Sequence, residues 1–191
     1  CLALPLALAA PPALAQLRSS TTALSASVHK AHVSASSAEI MYLALVAEMQ
    51  VRAGEAGVGY SLMLEAARKS DDPELFRRAV NIALQSRSGS AAVDAAQAWA
   101  SELPTSAEPH RVLVQMLISM DRIEDSAISL EKMLDLTSAN ERSELLDLVG
   151  QVYARAKDTA LAATVVAAKL RPWLTDTSTA SSAYAAMARV Q

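Results

Sequence analysis

Residues 75–104 read LFRRAVNIALQSRSGSAAVDAAQAWASELP. Apolar side chains recur through them at helical rather than alternating spacing, Gly89-Ser90 punctuates the middle, and Pro104 closes the run. Just upstream, Asp72 before Pro73 provides an N-cap with proline at the first helical position. The stretch therefore reads as two helices joined by a short turn, and a turn of two to six residues folds consecutive helices back as an antiparallel hairpin.

Working outward, the same punctuation returns on both sides. Ser36-x-x-Glu39 forms a capping box ahead of a first helix that Gly54 ends, Ser138-x-x-Glu141 forms a second box, and Asp158 precedes a further strong helix. Composition agrees. The chain has 191 residues, of which 40 are Ala, only 5 Gly and 7 Pro, with 4% aromatics. A many-stranded sandwich or barrel needs turn residues every 8–12 positions and abundant β-branched or aromatic side chains. All-α is the class that remains.

Counting also narrows function. Seventeen Lys and Arg against 20 Asp and Glu give a net charge of −3, so no global field gathers phosphate backbones and nucleic acid is not the expected partner. The single cysteine, Cys1, rules out an internal disulfide, a thiolate zinc site and a cysteine nucleophile set within the body of the chain.

Hairpins of equal size raise the question of internal repeats. Small residues on the second helix of each hairpin, Gly59, Ala92, Ser126 and Ala162, lie 33, 34 and 36 apart, and the same register puts Ala47, Val80, Val114 and Gly150 at the close-contact site of the first helix. Large apolar positions recur as well: Val46, Ala79, Leu113 and Val149, then Met63, Ala96, Leu130 and Val166. This layout resembles the tetratricopeptide repeat over residues 39–174, in about four copies. Copy two ends on Pro104, where the family places a proline, and copy four carries the Gly-x-x-Tyr of the family at Gly150 and Tyr153. Departures are Ser126 for Ala, His110 for a large apolar residue, Lys169 for Ala, and Pro172 two residues early. The resemblance implies an α-solenoid of about four antiparallel hairpins whose first helices line a concave face for a protein or peptide partner.

On that face the register places Glu74, Arg77 and Asn81 in copy two and Glu108, Arg111 and Gln115 in copy three. Arg77 and Asn81 are one helical turn apart, as are Arg111 and Gln115, so each pair points one way. A cation and an amide together are similar to the grooves of that family that hold a peptide carboxylate. Arg77, Asn81, Arg111 and Gln115 are thus the candidate binding residues for an extended segment of acidic or carboxylate character. The competing reading is a solvated face in which the arginines pair with Glu74 and Glu108.

Residues 1–15, CLALPLALAAPPALA, are uncharged and end on a small-x-small pattern before Gln16, and so are expected to be a truncated signal peptide rather than a membrane span. Acylation of Cys1, giving a lipoprotein of an outer-membrane assembly, is the alternative. Residues 16–38, with nine Ser or Thr in 23 positions, are expected to be a flexible linker. Residues 175–191 read as the start of a further helix, at about Ser181, cut short by the end of the sequence.

Other patterns reduce to bland roles. His29-x-x-His32 has no third ligand near it, and Gly54, Gly57 and Gly59 lack the strand and Lys-Ser/Thr of a phosphate loop, so turn and close-packing roles are expected for them. Ser27-x-x-Lys30 and Ser129-x-x-Lys132 lack the companion motifs of serine–lysine enzymes, and Trp99 reads as core. No catalytic residue, metal site or cofactor is expected. The function expected is a non-catalytic protein-interaction scaffold, exported to the periplasm or secreted, with no membrane span in the mature chain and partner unknown. The alternative is a regulatory or targeting arm of an enzyme whose catalytic domain lies beyond Gln191.

Overall fold

The structure, a computed structural model, describes residues 36–175 and 178–191. The expected signal peptide, Cys1, the linker up to residue 35, the His29–His32 pair and Ser27–Lys30 lie outside the described residues. Helical backbone covers residues 36–52, and the chain divides into two units after Tyr42. The second unit, from Leu43, holds α1 (43–52), α2 (Ala56–Ser70), α3 (Pro73–Gln85), α4 (Gly89–Glu102), α5 (Glu108–Ser119), α6 (Ile123–Leu136), α7 (Arg142–Tyr153), α8 (Thr159–Leu170), a 3₁₀ turn (Arg171–Leu174) and α9 (Ala180–Val190). The described residues form helices and turns, with no strand among them.

Two of the sequence start signals act as expected. The Asp72 carboxylate accepts the Glu74 N–H at 2.9 Å ahead of Pro73, and Asp158 accepts the Leu161 N–H at 2.9 Å, each satisfying an amide that the first helical turn leaves without a partner. Two others are displaced. The Gly89-Ser90 punctuation falls inside α4, which starts at Gly89 behind Ser88. Ser138 bonds the Glu141 carboxylate directly at 2.6 Å, and α7 begins only after that turn, at Arg142.

Three hairpins turn in the same way. Glu55 N–H bonds Gln50 O (2.9 Å), Ser88 N–H bonds Ala83 O (2.9 Å) and Arg122 N–H bonds Leu117 O (2.8 Å). Between donor and helix sits one residue with positive φ: Gly54 at 90°, Arg87 at 57° and Asp121 at 62°. This six-to-one bond is the Schellman ending of a helix, and a side chain at the left-handed position strains two of the three turns.

The recurring small positions are all buried. Ala47, Val80, Val114 and Gly150 are buried, as are Gly59, Ala92, Ser126 and Ala162. A Cβ on Gly59 would sit 2.8 Å from Ala47 O, and one on Gly150 would sit 3.0 Å from Ala186 Cα, so these sites set how near α2 comes to α1 and α9 to α7. Gly57 has nothing within 4 Å of where a Cβ would be, so neither a turn nor close packing accounts for it, contrary to expectation.

Two apolar cores share α5 as a wall. Met63, Phe76, Ile82 and Trp99 fill the first with Leu113 and Leu117, while Leu130, Met133, Leu146, Val149, Tyr153 and Leu170 fill the second with Val114 and Ile118. Each fully buried side chain of this size contributes about 1.5–3 kcal/mol. From α2 onward, the extensive helix contacts are α2 with α3, α3 with α4, α5 with α6 and α7 with α9, followed by α4 with α5 and α6 with α8; α7 meets α8, α2 meets α4 and α5 meets α7 only lightly.

The departures from the repeat pattern have local causes. Tyr153 is fully buried, and Ser126, also fully buried, lies 2.6 Å from its hydroxyl. The Ser126 hydroxyl donates to Ile123 O at 2.6 Å, so Tyr153 donates to Ser126. A serine stands at a small-residue site because a buried phenol on the neighbouring hairpin needs an acceptor. Lys169 pairs with Glu131, tying α8 to α6, and Pro172 falls in the 3₁₀ turn. Trp99 is fully buried, its ring parallel to that of Phe76 at 6.3 Å, so it is core as read from sequence. His110 is half-buried and its pKa is lowered, chiefly by burial and then by Lys132.

Candidate docking face on α5 and α7

The four sequence-predicted residues separate into two groups. Arg77 on α3 bonds both of the acids anticipated in the competing reading: Nη1 reaches the Glu74 carboxylate at 2.5 and 2.6 Å, and Nε and Nη2 reach Glu108 Oε1 at 3.0 and 2.5 Å. These bonds, Glu108's first, raise its pKa, and its guanidinium also lies 6.0 Å from the Trp99 ring centroid. A guanidinium held by two carboxylates has little left for a ligand's carboxylate. Its neighbour Arg78 forks onto Glu48 of α1 at 2.5 and 2.8 Å, which lowers the Glu48 pKa. Asn81 is exposed.

Arg111 and Gln115 stand elsewhere, on the exposed edge of α5 facing α7. With Glu141, Glu144, Leu145, Asp147, Leu148 and Gln151 they line a cleft of about 640 Å³. A second hollow of about 290 Å³ shares Gln115, Leu148 and Gln151 and adds Ile118, Ser119, Val152 and Arg155. The start of α5 faces the start of α7 and their ends face each other, so the two helices run parallel along a shared groove. The structure thus joins Arg111 and Gln115, and Arg77 and Asn81 line neither hollow.

The α7 wall was not singled out from sequence, although a signal was present. Adding the 36-residue step between Val114 and Gly150 to Arg111 and Gln115 gives Asp147 and Gln151, both in the cleft. The register therefore repeats the amide and replaces the cation with an acid.

A cleft of about 630 Å³ also lies between α4 and α6 over α5, lined in part by Gln97, His110, Leu113, Leu117 and the exposed Ile128. Among the described residues no group of three or more His, Cys, Asp or Glu could hold a metal ion, and no helix is long and apolar enough to cross a membrane. No protein-family model and no curated protein matches the chain.

Proposed function

We propose that this chain is a tetratricopeptide-like helical array that serves as a non-catalytic interaction scaffold, gripping an extended segment of another protein along its first-helix face. The observation that carries the reading is the cleft at register-equivalent positions of adjacent hairpins, Arg111 and Gln115 opposite Asp147 and Gln151. Three like turns 33 and 34 residues apart, eight buried close-contact sites, and helix contacts that reach no further than the next helix but one support a stacked array, in which each unit buries one face on the next and leaves another free. The uncharged opening segment supports export to the cell envelope, with mature protein beginning at Gln16, which mass spectrometry of the secreted form tests.

Photo-crosslinking tests the docking face. A benzoylphenylalanine in place of Gln151 is expected to trap a discrete partner in cells, and the same probe in place of Gln97, in the α4–α6 cleft, is not. Trapping only from position 97, or from neither, contradicts the reading.

A further inference from the structure

Charge along the α5–α7 groove indicates what kind of segment fits it. At its opening end Glu141, Glu144 and Asp147 face Arg111. Among the described residues neither Glu144 nor Asp147 makes an ion pair, and Arg111 makes none either. A carboxylate approaching Arg111 meets three like charges, while a cation approaching the same end meets three opposite ones, against Arg111 and Arg189, whose Nη1 donates to Asp147 O at 3.4 Å. In the middle, Gln115 and Gln151 project from facing helices. Each amide both donates and accepts, so the pair can bond the C=O and N–H of an extended backbone without regard to its side chains. Beyond them Ile118, Leu148 and Val152 make an apolar seat, with Ser119 and Arg155 at its border, so a second cation is disfavoured at this end.

Spacing adds a length. Leu148 and Val152 lie four and eight residues past Glu144, about 6 and 12 Å along a helix rising 1.5 Å per residue. An extended chain covers that in roughly two to four residues at about 3.3 Å each.

We propose that the α5–α7 groove binds an extended segment of a partner protein that carries a Lys or Arg side chain at the acidic end and an apolar side chain two to four residues away at the Ile118–Leu148–Val152 end. The proposal rests on the scaffold reading and departs from the carboxylate-binding expectation drawn from Arg77 and Arg111. Arg77 is held by Glu74 and Glu108, and Arg111 is outnumbered.

Selection from a random twelve-residue peptide library displayed on phage, against the immobilised full chain and against its E144K/D147K variant, tests it. Both substituted positions are exposed, and circular dichroism checks that the variant keeps its helices. Peptides enriched on the wild type are expected to pair a basic with an apolar residue at that spacing, and to bind the variant about tenfold or more weakly. Arg111→Glu is expected to tighten the same peptides. Enrichment of acidic peptides overturns this proposal and leaves the scaffold reading standing. Equal binding to wild type and E144K/D147K overturns the placement in this groove. Failure to enrich any peptide overturns the proposal and the scaffold reading together.

Discussion

Ser126 and Tyr153 offer a sharp test of how the hairpins are joined. The Tyr153 hydroxyl donates to Ser126 Oγ at 2.6 Å, and Ser126 donates in turn to Ile123 O at 2.6 Å, all out of contact with water. Ser126→Ala restores the alanine of the repeat pattern but leaves a buried phenol without an acceptor, which costs about 1–3 kcal/mol. Tyr153→Phe removes the phenol and leaves Ser126 satisfied by Ile123, costing only the net value of one hydrogen bond, about 0.5–1.5 kcal/mol. In the double variant no polar group is stranded, so it should be more stable than Ser126→Ala alone. The non-additivity should be about 1–2 kcal/mol. Urea unfolding followed by circular dichroism gives all four corners of the cycle. Additive losses, or a Ser126→Ala cost below about 0.5 kcal/mol, would refute the claim that the serine is there to serve the tyrosine.

The same phenol has a pH signature: burial pushes the Tyr153 pKa up to about 12, against about 10 when unfolded. Folded protein keeps the proton longer, so its share of stability is intact below pH 10 and falls by about 1.4 kcal/mol per unit as pH rises toward 12. Subtracting the alkaline stability profile of Tyr153→Phe from that of wild type should isolate this slope, and parallel profiles would refute it. Arg87→Gly should stabilise the chain by about 0.5–1 kcal/mol in urea unfolding, because the left-handed backbone at φ 57° strains a side chain but not glycine. Gly150→Leu should lower stability by about 1–3 kcal/mol in the same assay, since even a Cβ there would sit 3.0 Å from Ala186 Cα and α9 would be forced off α7.

Helix class and the buried small sites were legible because each rests on local chemistry that sequence displays directly: the Asp72 and Asp158 caps, the apolar period, and the 33- to 36-residue recurrence. What could not be read depends on partners distant in the chain. Nothing near Arg87 marks it for left-handed backbone, and Asp121 carries only the general tolerance of aspartate for it; the likeness of their turns to that at Gly54 makes both intelligible. Ser126 looks like a flaw in the repeat until Tyr153 is placed beside it, 27 residues on. The candidate groove is half visible in sequence. Arg111 and Gln115 reach a groove, but the pairing of Arg77 with Glu108 spans 31 residues and competes in sequence with ligand binding, and the acidic α7 wall shows only when the register is carried 36 residues on, to Asp147 and Gln151.

Backbone amide chemical shifts report directly on the groove between α5 and α7. Titrating the isotopically labelled chain with a selected basic–apolar peptide should move resonances at residues 111–119 and 144–155 while those of α4 and the start of α6 stay in place. Shifts centred on Gln97, His110 and Ile128 instead would put the binding site in the α4–α6 cleft and contradict the account.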